Sequence, residues 1–239
     1  MKRALVTGGT KGIGLGIARM LLQEGYFVTV TYSSDEASAE KCRSELAQLS
    51  NTFDIVKADQ SSKEEMRELV ALLRKEESLD CIVCNAGITL RKGLTEIKDE
   101  DWEKVMAVNV NTPLFLIRDL YDKIPRGSRI VFIGSEMAIH PHGTSIAYGV
   151  SKSAVHALAT NLVKFFEGTG TTVNAIAPGF VETEWQATKP EEIRQNIYRK
   201  TAIKRFATVD EVADAVRFCI NNAFVNGSII EVNGGYCYK

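Results

Sequence analysis

One feature constrains this chain more than any other: short β-rich runs alternate with amphipathic stretches of helical period along its whole length. The pattern predicts strands at 4–6, 27–32, 53–57, 81–84, 129–133, 172–177 and 229–232. It predicts helices at about 13–24, 37–49, 63–75, 101–121, 148–166 and 209–222. Strands joined by helical crossovers must run parallel, and such a sheet is covered on both faces. Crossovers of this length are right-handed, so a doubly wound sheet is the natural closure. No linker, repeat or low-complexity run divides the 239 residues, and a single domain spanning 1–239 is expected. Only seven residues follow Val232, so no separate substrate domain is expected. The one long interruption, 178–208, reads as a substrate-binding loop or lid.

Composition narrows the partners. Lys and Arg number 29 against 30 Asp and Glu, so the chain as a whole offers no polycationic surface, and neither nucleic acid nor a membrane is expected as a partner. Five cysteines (Cys42, Cys81, Cys84, Cys219, Cys237) are few and odd in number, which argues against a disulfide framework and for a reducing compartment. The first residues reach a Thr-Gly-Gly turn before a signal-peptide core can form. No segment approaches the ~20 apolar residues that cross a bilayer. The expectation is a soluble, cytoplasmic protein.

Between the first strand and the first helix lies Thr7-Gly8-Gly9-Thr10-Lys11-Gly12-Ile13-Gly14. Glycines permit a tight turn and close backbone approach, and the following helix N-terminus supplies free N–H groups and a favourable dipole for phosphate. The spacing is Gly-x3-Gly-x-Gly, not the commoner Gly-x-Gly-x2-Gly. A tight strand–helix connection that binds nothing would have the same composition. Two further strand ends, Asp59-Gln60 and Asn85-Ala86-Gly87, carry short polar or small residues, as a dinucleotide across the switch in strand order requires. Asn, Asp and Gly also favour turns with no ligand at all.

Tyr148 and Lys152 stand four residues apart, which makes them neighbours on one helix face. A nearby ammonium favours the phenolate and lowers a tyrosine pKa, which would suit the pair to proton transfer. Alone, the pair equally describes a solvated helix face. Ser135, however, ends the fifth strand 13 residues before Tyr148, and Asn109 lies 26 residues further upstream.

Taken together, the 7–14 turn, Asn85-Ala86-Gly87, Asn109, Ser135, Tyr148/Lys152, Pro178-Gly179 and Asn233-Gly234-Gly235 resemble the single-domain short-chain dehydrogenase/reductase family, in order and spacing. The resemblance runs from Lys2 to Gly235 and implies a Rossmann-type fold with a seven-stranded parallel sheet. It also implies hydride transfer between a nicotinamide cofactor and an alcohol/ketone pair. Tyr148 would be the general acid, Lys152 would tune it and hold the nicotinamide ribose, Ser135 would hydrogen-bond the substrate oxygen, and Asn109 would anchor a proton relay. Pro178, Gly179, Val181 and Thr183 resemble the loop beside the nicotinamide.

The second strand ends Thr31-Tyr32-Ser33-Ser34, without the acidic residue that NAD-binding sheets place there. Lys11 could pair with a 2′-phosphate and Ser33 or Ser34 could hydrogen-bond it, so NADP(H) is favoured over NAD(H), although Asp35 and Glu36 follow closely. The resemblance is nearest to 3-oxoacyl-carrier-protein reductases, through Pro178-Gly-Phe-Val-Glu-Thr183, Lys204-Arg205-Phe206 and Val232-Asn-Gly-Gly235. An acidic carrier protein would need a basic surface at the mouth of the site, with Arg126, Arg129, Lys200, Lys204 and Arg205 as candidates. Trp185 and His140-Pro141-His142 depart from the family pattern near the presumed pocket. The alternatives are a carbonyl reductase acting on a steroid, sugar or other small ketone, and a catalytically idle NADP(H)-binding regulator. Val155, Leu158 and Leu162 form an apolar stripe that serves either core packing or a homo-oligomer, dimer or tetramer, as in the family. Cys81 and Cys84, at an odd separation on a strand, point to opposite faces, and no metal site is expected of them or of the histidines.

Overall fold

The computed structural model describes every residue except His142, Thr144, Cys237 and Lys239. Seven parallel strands form one sheet in the order β3-β2-β1-β4-β5-β6-β7. They are β1 (Arg3–Val6), β2 (Phe27–Tyr32), β3 (Phe53–Lys57), β4 (Cys81–Cys84), β5 (Arg129–Ile133), β6 (Thr172–Pro178) and β7 (Ile229–Val232). The helices are α1 (Gly12–Gln23), α2 (Glu36–Ala47), α3 (Lys63–Leu73), α4 (Asp99–Met106), α5 (Thr112–Asp119), α6 (Ile146–Leu162), α7 (Glu184–Ala187), α8 (Glu191–Lys200) and α9 (Val209–Asn221). The doubly wound parallel sheet expected from the alternation is the one observed.

Successive strand side chains point to opposite faces, and here both faces are core. Ala4, Val6, Cys81, Val83, Val131 and Ile133 pack with α1 and α9 on one side. Leu5, Ile82, Cys84, Ile130 and Phe132 pack with α5 and α6 on the other. Cys81 and Cys84 thus fall in different layers, and burial pushes each thiol up to about 12. Val155 and Leu162 are buried and Leu158 packs beside them, so that stripe is core. Each fully buried Leu or Ile in these layers contributes roughly 1.5–3 kcal/mol.

Two regions differ from the sequence reading. Residues 101–121 are not a uniform helix: α4 and α5 are joined by a π turn through Ala107–Asn111, a register shift that periodicity does not reveal. The interruption at 178–208 holds α7 and α8, and it is tied at its base where Val181 bridges Ala207. Phe180 stacks on Phe206 at 5.9 Å, and the Arg194 guanidinium lies 4.6 Å from the Phe206 ring. α8 buries only Ile197, too thin an apolar stripe to announce a helix.

Candidate active site

The carboxyl ends of the strands open into one cleft of about 640 Å³, beginning at the switch between β1 and β4. Its floor is the glycine turn. Gly8 and Gly12 adopt φ of 60° and 55°, which L side chains avoid. A Cβ at Gly14 would collide with the Gly8 carbonyl and lie 2.6 Å from Asn85 Nδ2. Asn85 Nδ2 donates to the carbonyls of Thr7 and Gly8, at 3.0 and 2.8 Å. Thr7 Oγ1 accepts from the backbone N–H groups of Asn85 and Ala86. Asn85 therefore holds the turn in shape as well as lining the cleft.

α1 differs from α2, α3 and α9 at its N-terminus. Its cap residue Lys11 makes no side-chain cap bond, and no acidic residue occupies its first turn. In α2, α3 and α9 the side chains of Asp35, Ser62 and Thr208 accept from backbone N–H groups of the first turn. The positive end of α1 is thereby left for an external anion, and the glycine turn lets a pyrophosphate approach it. The residues present fit a dinucleotide: Thr10, Lys11, Gly12 and Ile13 at the turn, Tyr32, Ser33 and Ser34 at the end of β2, Asp59 and Gln60 after β3, and Asn85, Ala86 and Gly87 after β4 all line the cleft. Gln60 is 6 % exposed, and neither end of its side-chain amide has a partner among the described residues.

Further along the cleft lie Ser135, Tyr148, Lys152, Pro178, Gly179, Val181 and Thr183. Ser135 follows β5 and Tyr148 comes from α6, so two elements deliver two hydroxyls to one place. Ser135 Oγ accepts from the Met137 N–H at 3.1 Å, which leaves its own hydrogen to donate. Burial raises the Tyr148 phenol above its ordinary value, with the Ser135 hydroxyl acting in the opposite direction. Lys152 Nζ donates to the Ile133 carbonyl at 2.6 Å and lies 5.7 Å from the Tyr148 ring centre. Burial brings this ammonium down to about 8.

Asn109 stands behind the cleft and does not line it. The π turn directs its side chain inward, where Oδ1 accepts from the Ile88 N–H at 2.8 Å. Nδ2 donates to the Ile88 carbonyl and to Ser151 Oγ, both at 2.9 Å. A Cβ at Gly87 would lie 3.2 Å from Asn109 Oδ1 and 3.4 Å from Lys152 Nζ, so this glycine lets the β4 end close on both.

Other sequence expectations change. Lys11 Nζ is held by Asp35 Oδ2 at 2.7 Å, a pairing across 24 residues of sequence that places a carboxylate beside the expected 2′-phosphate position. The lysine bond depresses the Asp35 carboxyl strongly. Arg126 and Arg129 lie at the amino end of β5, the far end of the sheet, so they cannot border the cleft. Arg129 is bound there to the carbonyls of Ile220, Gly127 and Ser128. Arg205 pairs with Glu211. The cations that do line the cleft, besides Lys11 and Lys152, are Arg91 and Lys104. Trp185 lines it as well, although more than half exposed, whereas His140 does not and His142 lies outside the described residues.

Two residues of the site escaped the sequence reading. Glu136, next to Ser135, is 4 % exposed with Oε1 unpartnered among the described residues, and burial together with Glu231 raises its carboxyl to about 7. His156 lies four residues beyond Lys152 on the same helix face and touches the backbone of Ser135. The signals were present: a charged residue adjoining Ser135, and a third polar residue at the Tyr148/Lys152 spacing.

A Rossmann-type sheet, a glycine turn at an uncapped helix and a serine–tyrosine–lysine group at the strand ends define an NAD(P)-dependent oxidoreductase acting on CH–OH groups. Comparison with known proteins agrees. A family model described as enoyl-(acyl carrier protein) reductase matches residues 8–237. The chain is 32 % identical over 238 residues to the 3-oxoacyl-(acyl-carrier-protein) reductase FabG of Rickettsia prowazekii, covering 98 % of this chain and 96 % of the relative. It is 31 % identical over 242 residues to FabG of Aquifex aeolicus, covering 98 % and 96 %. Among solved structures, a short-chain dehydrogenase/reductase from Serratia marcescens superposes with a TM-score of 0.93 at 28 % identity, covering 99 % of this chain and 98 % of that one. The angucycline C-6 ketoreductase LanV with bound NADP superposes with a TM-score of 0.92 at 26 % identity, covering 100 % and 96 %. The chain belongs to the short-chain dehydrogenase/reductase family.

Proposed function

We propose that the protein is an NADP(H)-dependent ketone reductase whose substrate is a 3-oxoacyl thioester, free or on an acyl carrier protein. The observation that carries the reaction is the meeting of the Ser135 hydroxyl, the Tyr148 phenol and the Lys152 ammonium in one cleft whose other end is lined for a dinucleotide. A nicotinamide held beside Pro178, Gly179 and Lys152 would supply the hydride. Tyr148 then gives its proton to the carbonyl oxygen as negative charge develops there, and Ser135 donates a hydrogen bond to the same oxygen. Lys152, dry and cationic near neutrality, stabilises the phenolate left behind and holds the ribose. Asn109 fixes the Ile88 backbone and Ser151, and so the wall against which Lys152 stands. Pro178, Gly179, Val181 and Thr183 face the nicotinamide end, and 178–208 closes over the substrate as the lid of a single domain.

For the cofactor, Lys11 with Ser33 and Ser34 favours the 2′-phosphate, which would draw Lys11 away from Asp35. The solved neighbours with NADP support the same choice. For the substrate, the support is the likeness to 3-oxoacyl-carrier-protein reductases over nearly the whole chain, with Arg91 and Lys104 at the cleft as the cations an acidic carrier would meet. Exposed Phe115, Ile146, Val150 and Phe165 support a homo-oligomer. No helix among the described residues is long and apolar enough to cross a membrane, in keeping with a cytoplasmic enzyme.

The test is reductant oxidation with acetoacetyl thioester beside a panel of cyclic ketones, with NADPH and NADH in parallel. Expected are NADPH preference and turnover of the thioester. Turnover of the cyclic ketones alone would move the substrate to a small ketone, a reading favoured by the bulky Trp185 in the cleft and by the likeness to LanV. Tyr148→Phe should lower kcat by about 10²–10⁴-fold with folding unchanged. An unchanged rate would remove Tyr148 from the chemistry.

A further inference from the structure

α6 presents polar side chains on one face at four-residue steps: Tyr148, Lys152 and His156. The first two have roles in the proposed reaction. His156 lies too far along the helix to reach the same oxygen, and yet its ring is turned toward the site. Its Nε2 accepts from the backbone N–H of Ser135 at an N···N distance of 3.4 Å. That contact is long for a hydrogen bond, but Ser135 is 8 % exposed and its N–H has no other acceptor among the described residues.

The strand end is shaped to receive the ring. A Cβ at Gly134 would collide with His156 Nε2 and lie 2.5 Å from its Cδ2. The backbone of Gly134 is not in the left-handed region, so the chain path does not require glycine. What requires it is the imidazole, together with the Ile176 carbonyl, 3.1 Å from the same point. One residue earlier, Lys152 Nζ binds the Ile133 carbonyl at 2.6 Å. Two side chains of α6 therefore grip three consecutive residues of backbone: Lys152 takes Ile133, the ring of His156 fills the space at Gly134, and its nitrogen takes Ser135.

We infer that His156 is a positioning residue for Ser135, clamping the strand end that carries the serine hydroxyl to the helix that carries Tyr148. Ser135 and Tyr148 come from different elements and must address one oxygen atom. An error of about 1 Å between them is enough to cost orders of magnitude in rate. An acceptor role requires Nε2 to be unprotonated, which places the proton of the neutral ring on Nδ1. Burial and the Lys152 ammonium bring the imidazole down to about 4, so the acceptor is present throughout the neutral range. The inference rests on the reaction proposed above, since it gives the serine a partner to be aligned with.

The experiment compares His156→Leu with His156→Gln, using whichever ketone the wild-type enzyme reduces. Leucine fills space without an acceptor, whereas glutamine offers a carbonyl oxygen near the place of Nε2. Expected is a fall of about 10-fold in kcat for H156L, with KM for the ketone and Kd for NADPH within about twofold, and recovery to within about threefold of wild type in H156Q. Unchanged kcat in H156L, an equal loss in both variants, or a loss carried by KM with kcat intact would each overturn the assignment. Should H156L fail to fold, Gly134→Ala approaches from the other side. Its methyl displaces the ring, so kcat should fall while KM holds, and a normal kcat would be equally fatal. Failure of the underlying reading looks different: Tyr148→Phe would then keep the wild-type rate, whereas an inactive Y148F beside a fully active H156L removes only the role of His156.

Discussion

The two ends of the sheet are built on opposite principles. At the amino ends of the strands, most polar groups are closed off by one another: the Arg3 backbone N–H donates to Asp80 at 2.8 Å, the Arg3 side chain pairs with Glu76, and Arg129 binds four carbonyls, with Thr172 Oγ1 the exception. At the carboxyl ends, Gln60 and Glu136 keep buried polar atoms without partners among the described residues, and burial shifts Tyr148, Lys152, Glu136 and His156. Both ends belong to the same strands and share the same two cores. Burial also raises Tyr26 and Cys81 at the amino ends, so the difference lies in convergence: at the carboxyl ends the unpartnered and desolvated groups gather around one cleft, where a ligand can complete them.

Substitutions at the two ends should accordingly separate activity from stability. The largest effect belongs to Lys152→Met. We expect kcat to fall by about 10²–10⁴-fold, while thermal unfolding at pH 7 shows no loss of stability. The sign follows from the protonation states. Folding brings this ammonium down from its ordinary 10.5 to about 8, so between those values the unfolded chain binds more protons than the folded one. Wild-type stability therefore rises with pH across that window, relative to K152M, and the difference is flat below about 8. A variant markedly less stable at pH 7 would contradict the desolvation cost assigned to the lysine.

Next comes Gly14→Ala, whose methyl would meet the Gly8 carbonyl and Asn85. The overpacked turn should lose about 1–3 kcal/mol of stability, and dinucleotide affinity, measured by fluorescence titration, should fall with it. Retained affinity would mean that the turn does not cradle the cofactor. The smallest effect on chemistry belongs to the far end. Arg129→Ala should lower unfolding free energy by about 2 kcal/mol in denaturant titrations and leave kcat unchanged. A fall in kcat there would break the division between the two ends.

Much of this division was legible in the sequence. The strands 27–32, 53–57, 81–84, 129–133 and 229–232 were bounded correctly by their β-rich runs, and the glycine turn was placed by its position between strand and helix. Even the remoteness of Arg129 could have been read, since it begins the strand after which Ser135 comes. What could not be read depends on neighbours distant along the chain. The Lys11–Asp35 pair joins two separate elements, and Tyr148 is raised because surrounding side chains exclude water. His156 acquires a role only when α6 is laid against the end of β5.

The π turn at Ala107–Asn111 carries a consequence of another kind. It is in effect one surplus residue in an otherwise continuous helix from Asp99 to Asp119, and that surplus turns Asn109 inward. Most point substitutions along this helix would leave the register untouched. Loss of a single residue from it would restore an unbroken helix and rotate everything beyond by about 100°. The lock on Ile88 and Ser151 is thus tolerant of changes in spelling and intolerant of changes in length, so descendants of this sequence can drift freely there only at constant spacing.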